Sequence, residues 1–148
     1  MKTFSQLKSA IKPLICSMFF SAIMLPAIAA PTYYSSSKTM PFSDGVLVGD
    51  TLYMSGQIGI KDGKLVKGGV ANETKQIFTN MDKVLAKFNL SRSDLVKCSV
   101  MIDDMDDFAA FNKAYLAELQ APYPTRSAFA VNELALGASV EIECLASR

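Results

Sequence analysis

Near its C-terminus the chain alternates apolar and polar residues with a period of two. In VEIECLA, Val140, Ile142, Cys144 and Ala146 fall on one side of an extended backbone, and Glu141, Glu143 and Leu145 on the other. That is the pattern of a half-buried strand. DLVKCSVMID repeats it, with Val96, Cys98, Val100 and Ile102 on one face and Lys97, Ser99, Met101 and Asp103 on the other. The middle of the chain changes period. VANETKQIFTNMDKVLAKFNL sets Val70, Ile77, Met81, Val84, Leu85 and Phe88 at helical spacing, with Asn72 as a cap near the start and Asn89 near the end. DDMDDFAAFNKAYLAEL places Phe108, Phe111, Tyr115 and Leu119 on one stripe of a second helix. Its leading acids suit the positive end of the helix dipole.

Upstream, GVLVGDTLYMSGQIGI holds two apolar runs around Gly49-Asp50, which reads as a hairpin, followed by the turn-rich KDGKLVKGG. Downstream, PTRSAFAVNELALGASVEIECLA reads as two strands joined by a short turn. Strands, helix, strand, helix, strands is the order of an α+β sandwich, one sheet covered on one face by two helices. The sheet's other face is mixed rather than polar, which predicts a subunit interface with clefts between chains. Two charges stand out in the last strands. A charge buried in a strand costs several kcal/mol unless it is paired, so Arg126 and Glu141 either sit in solvent or face a working pocket.

Composition narrows the chemistry. Of the 148 residues, the first twenty-nine read as a secretory signal. Lys2, Lys8 and Lys12 precede the apolar PLICSMFFSAIMLPAIA, and Ala27-Ile28-Ala29 ends it with small residues. Residues 30–148 then form a single exported domain, periplasmic or secreted, with no stable membrane anchor after cleavage. The net charge of +1 leaves no basic cluster beyond the leader, so no nucleic-acid partner is expected. There is no histidine, which excludes a histidine-based triad and removes the commonest zinc ligand. No metal site is expected. Cys98 and Cys144 form no CxxC pair, and their plainest reading is two small buried apolar residues, although an oxidising compartment would let them join if close.

PFSDGVLVGDTLYMSGQIG, DLVKCSVMIDDMDDFAAFNKAYLAEL, PTRSAFAV and VEIECLA together resemble the reactive intermediate deaminase (Rid) family, most closely its RidA branch. The resemblance covers about residues 41–146. It implies a chorismate-mutase-like (bacillus-type) α+β sandwich with a mixed sheet, three copies closing a homotrimeric barrel with clefts at the subunit boundaries. It also implies hydrolysis of short 2-imino acids, 2-iminopropanoate and 2-iminobutanoate, to 2-oxo acids and ammonia without a cofactor. Carried over by position, Arg126 grips the substrate carboxylate and Glu141 places the attacking water. Gly56, its neighbour Ser55, and Asn112 lie along the pocket. Phe42 stands where the RidA branch usually has a tyrosine, so the aromatic wall is kept and a hydroxyl is lost.

Each assignment has a plainer rival. Arg126 and Glu141 could be solvated strand residues, with Glu143 sharing Glu141's parity. Ser55 reads as a packing or backbone-bonding residue rather than a nucleophile, since no base partner exists. Tyr115 reads as core. The rival function is a non-catalytic exported trimer that binds small carboxylates or acts like a chaperone.

Overall fold

The computed structural model describes residues 30–148; the predicted leader lies outside them. The chain runs β1 (Thr32–Tyr34), β2 (Gly45–Val48), β3 (Thr51–Met54), β4 (Gln57–Ile58), β5 (Ile60–Lys61), β6 (Lys64–Leu65), α1 (Gly69–Lys87), β7 (Leu95–Ile102), α2 (Phe108–Glu118), β8 (Thr125–Ala130) and β9 (Val140–Ser147). The main sheet is ordered β1-β2-β3-β9-β7-β8, with β4 also pairing to β9. Only β7 and β8 run parallel; the other ladders are antiparallel. Both helices pack on one face of this mixed sheet. Ile77, Phe78 and Met81 of α1 and Phe111 of α2 are fully buried against Val100, Ile102, Val140 and Ile142.

The local reasons are readable. β9 keeps the predicted alternation, with Val140, Ile142, Cys144 and Ala146 buried. β2 and β3 turn over Gly49-Asp50, where Gly49 takes φ 58°. The segment read as a loop is a small hairpin instead. Asp62 and Gly63, both at positive φ, join β5 to β6, the Asp-Gly turn that matches strand twist.

α1 is capped differently from expectation. Gly68 precedes it at φ 108°, and Asn72, already inside the helix, donates its amide to the Lys67 carbonyl at 2.9 Å. At the far end Asn89 turns left-handed (φ 57°) and Leu90 N–H donates to Leu85 O at 3.0 Å, a helix-stop geometry.

Three other expectations change. Val96 was placed on the buried face but is exposed, because the β7–β9 register slips between Leu95 and Lys97 and Leu95 takes the inward place. One extra residue in a strand flips side chains locally. β8 and β9 are not a tight pair. β7 lies between them, and residues 131–139 make the crossing. Finally, Cys98 and Cys144 are buried as expected but joined in a disulfide. They face each other across β7 and β9, and the closeness of a directly opposed pair permits the bond.

Candidate active site

A one-residue slip builds the first half of the site. β3 and β4 both pair with β9, but Tyr53 faces Leu145 while Gln57 faces Ile142. Four steps on one strand thus match three on the other. The extra residue falls at Ser55-Gly56, and the chain bulges there, a device that re-aims backbone beside functional groups. Glu141 of β9, paired with Ile58, brings its carboxylate onto this bulge. A Cβ added to Gly56 would overlap Oε1 of Glu141 and stand 2.9 Å from its Cδ. Only glycine leaves room for that carboxylate.

Ser55 fixes the other wall. Its hydroxyl donates to Ser43 O at 2.7 Å and its N–H to Asp44 O at 3.1 Å. These bonds hold the 36–44 loop, and with it Phe42, beside the bulge. Ser55 therefore acts as the backbone-bonding residue the sequence suggested. The result is an open cavity of about 760 Å³ whose walls include Phe42, Ser55, Gly56 and Glu141. Among the described residues the cavity walls hold no lysine or arginine; their ionisable groups are Asp44 and Glu141.

Several lining residues escaped the sequence reading. Gln57 follows Gly56 in the SGQIG run and donates from Nε2 to Ser55 O at 3.3 Å. Asn80 reaches out of α1 and donates to Ile60 O at 2.9 Å, while accepting from Gln76. Met40 and Leu136 complete the rim. Gln57 had a signal in its neighbour Gly56. Asn80 and Leu136 had none, since neither periodicity nor motif marks a residue that reaches a cavity from a distant element.

The second half lies elsewhere. Arg126 opposes Cys98 in the parallel β7–β8 ladder, so it points to the helix side of the sheet. Its guanidinium carbon sits 4.9 Å from the Tyr115 ring centroid, 5.5 Å from Phe111 and 5.8 Å from Phe108, all of α2. Cation–π contact holds the charge in place without neutralising it, and among the described residues Arg126 has no acidic partner within ion-pair distance. Asn112 lies on the same helix, half-buried, one turn after Phe108. Tyr115 is buried as predicted, and among the described residues its hydroxyl has no hydrogen-bond partner. Burial pushes that phenol above its usual 10, with the Arg126 charge pulling the other way.

Within one chain the predicted residues therefore form two groups. Phe42, Ser55, Gly56 and Glu141 share the cavity. Arg126 and Asn112 stand at the β8 edge and α2. Glu141 opposes Met101 while Arg126 opposes Cys98, positions three apart on β7 and therefore of opposite facing. The two charges lie on opposite faces of the sheet. Among the described residues no cluster of three or more His, Cys, Asp or Glu is arranged to hold a metal ion.

A family model described as Endoribonuclease L-PSP matches residues 34–148. The chain is 41% identical over 108 residues to the 2-iminobutanoate/2-iminopropanoate deaminase of Bos taurus, covering 72% of this chain and 79% of that one. It is 30% identical over 141 residues to Reactive Intermediate Deaminase A, chloroplastic, of Arabidopsis thaliana, covering 94% and 75% respectively. Among solved structures, RidA from the Antarctic bacterium Psychrobacter sp. PAMC 21119 superposes with a TM-score of 0.72 at 33% identity, covering 82% of this chain and 98% of that one.

Proposed function

The chain belongs to the Rid/L-PSP family, and on that footing we propose that it hydrolyses 2-imino acids to 2-oxo acids and ammonia at a site shared between two copies of the chain. The observation that carries the reading is the placement of Glu141, its carboxylate seated on Gly56 in the wall of a cavity of about 760 Å³. Relatives at 41% identity are named for 2-iminobutanoate and 2-iminopropanoate, and these are the first substrates to test.

The chemistry asks little of the protein. A protonated imine carbon is already electrophilic. Water adds to it while Glu141 takes a proton from that water as general base; Glu141 then returns the proton to the carbinolamine nitrogen, and ammonia leaves as the C–N bond breaks and the hydroxyl gives up its proton to become the 2-oxo group. Orientation supplies much of the rate. Arg126 holds the substrate carboxylate; its planar fork suits a bidentate grip, and the three rings behind it keep the fork aimed. Asn112 adds a hydrogen-bonding side chain on the same helix. Phe42 supplies an apolar wall, with no hydroxyl to hold the water.

Glu141 and Arg126 lie on opposite faces of one protomer, so they meet only if one copy brings its Glu141 cavity to the β8 edge of the next. A closed ring of three, as expected from the family resemblance, repeats that contact and completes three sites. We read the leader as directing export, so the imines met would be those of an oxidising compartment. The acidic cavity does not suit RNA, whose phosphates Asp44 and Glu141 would repel.

The test is a coupled assay on purified protein. An amino-acid oxidase generates the imine in place, and semicarbazide traps what escapes hydrolysis. The wild type should suppress semicarbazone formation and Arg126→Ala should not. Equal semicarbazone yield with and without the wild type would remove the deaminase reading and favour the non-catalytic carboxylate-binding trimer.

A further inference from the structure

Three exposed hydrophobic side chains gather at the mouth of the Glu141 cavity: Leu136 (70% exposed), Met40 (52%) and Phe42 (47%). They come from two separate loops and face one concavity, whose polar wall holds Glu141, Ser55 and Gln57. Leu136 is the unusual member. It takes φ 60°, ψ 17°, a left-handed conformation that costs a non-glycine residue of order 1 kcal/mol or more. Neither burial nor a side-chain hydrogen bond offsets that cost within the protomer. The loop is nevertheless anchored close by. Three residues on, Ser139 N–H donates to the buried carboxylate of Glu73 at 2.9 Å, and Ser139 O accepts from Asp103 N at 3.2 Å. A strained, exposed leucine on a pinned loop beside a polar wall is placed to meet an apolar ligand group.

We propose that Leu136, with Met40 and Phe42, forms an apolar lip that selects 2-imino acids with side chains of four or more non-hydrogen atoms, those from leucine, methionine or phenylalanine, over the methyl and ethyl side chains of 2-iminopropanoate and 2-iminobutanoate. This rests on the deaminase reading above. With the reacting carbon beside Glu141, a longer side chain has more apolar surface to lay against the lip than a methyl or ethyl group. Each additional buried methylene contributes about 0.8 kcal/mol, roughly a fourfold gain in kcat/KM.

The experiment runs the semicarbazide competition with imines generated from alanine, 2-aminobutyrate, norvaline, leucine and phenylalanine. Wild type is compared with Leu136→Asn, whose polar side chain tolerates the left-handed backbone. Binding of the matching 2-oxo acids is followed in parallel by isothermal titration. The wild type should prefer the leucine-derived imine over the alanine-derived one by about tenfold or more, and Leu136→Asn should erase most of that ratio. A flat wild-type series with measurable turnover overturns the lip, as does a gradient that Leu136→Asn leaves intact. If Leu136→Asn lowers the sedimenting mass and leaves the ratio unchanged, Leu136 serves assembly and the proposal fails. If no imine is hydrolysed but 2-oxo acid affinity still climbs with side-chain length, the deaminase reading falls and the apolar lip stands as a binding device.

Discussion

The Glu141 cavity and the Arg126 edge are built on opposite principles. The first is walled and pinned. A strand bulge, a glycine whose missing Cβ leaves room for the carboxylate, and hydrogen bonds from Ser55 to the 36–44 loop set the Glu141 carboxylate in a concavity. The second is open. β8 is an edge strand, exposed along almost its whole length, and Arg126 is steadied by three rings of α2 instead of by an acid. The cavity lacks a cation, and the cation lacks a cavity. In the proposed reaction each half supplies what the other lacks, and the sheet between them keeps them apart within one chain.

That contrast can be attacked from either side. The largest expected effect is on the cavity. Gly56→Ala drives a methyl group into the Glu141 carboxylate, and the resulting displacement should lower kcat/KM by about a hundredfold. The folded content, followed by far-UV circular dichroism, should barely change. A wild-type rate in Gly56→Ala would mean that Glu141 need not occupy its present position. On the other side, Arg126→Lys keeps the charge but loses the fork. It should raise KM about tenfold or more with less effect on kcat, because uniform binding is what is lost.

The Cys98–Cys144 bond lies between the two halves. Cys98 opposes Arg126 in β8, and Cys144 is three residues from Glu141. It closes a loop with a sequence separation of 46, for which chain entropy gives a stabilisation of up to about 4 kcal/mol. The double variant Cys98→Ala with Cys144→Ala should show a clearly lower denaturation midpoint in urea. The oxidised protein should weigh two hydrogens less by mass spectrometry than after full reduction.

The smallest effect concerns Tyr115, under the Arg126 half. Its folded pKa lies above its unfolded value of about 10. Below pH 10 the phenol is neutral in both states. As pH rises past 10 the unfolded chain ionises first, so stability falls through that window. Tyr115→Phe should remove this part of the alkaline loss, seen in urea midpoints compared at pH 8 and pH 10.5. It should be neutral or slightly stabilising at pH 8, because the buried hydroxyl it deletes has no partner.

Much of this architecture is legible from sequence because it is local. Ile77, Met81 and Phe111 lie on helical stripes, and Ile142 and Cys144 alternate with the two glutamates, so each side chain's facing follows from its own element. What stays hidden is set by distant pairing. Nothing around Val96 marks the slip that turns it outward. TRSAFA shows no alternation, because β8 is exposed on both faces at an edge, and so Arg126's facing is decided only by the parallel register with β7. The two cysteines sit on separate strands whose alignment fixes whether their sulfurs touch. Arg126 and Glu141 are recognisable as a pair from family motifs, but their separation across the sheet is a three-dimensional fact. The left-handed Leu136 leaves no trace in a run of small and apolar residues.

Mixing two inactive chains tests the shared site most directly. Arg126→Ala retains the Glu141 cavity, and Glu141→Gln retains the Arg126 edge. Each alone should hydrolyse imines at less than about a hundredth of the wild-type rate. Equal amounts, unfolded together and reassembled, should recover about a quarter of the wild-type activity, since about one interface in four joins the two intact halves. Recovery at that level establishes that the halves come from different chains. Mixed assemblies, confirmed by native mass spectrometry, that remain as inactive as either parent would contradict it.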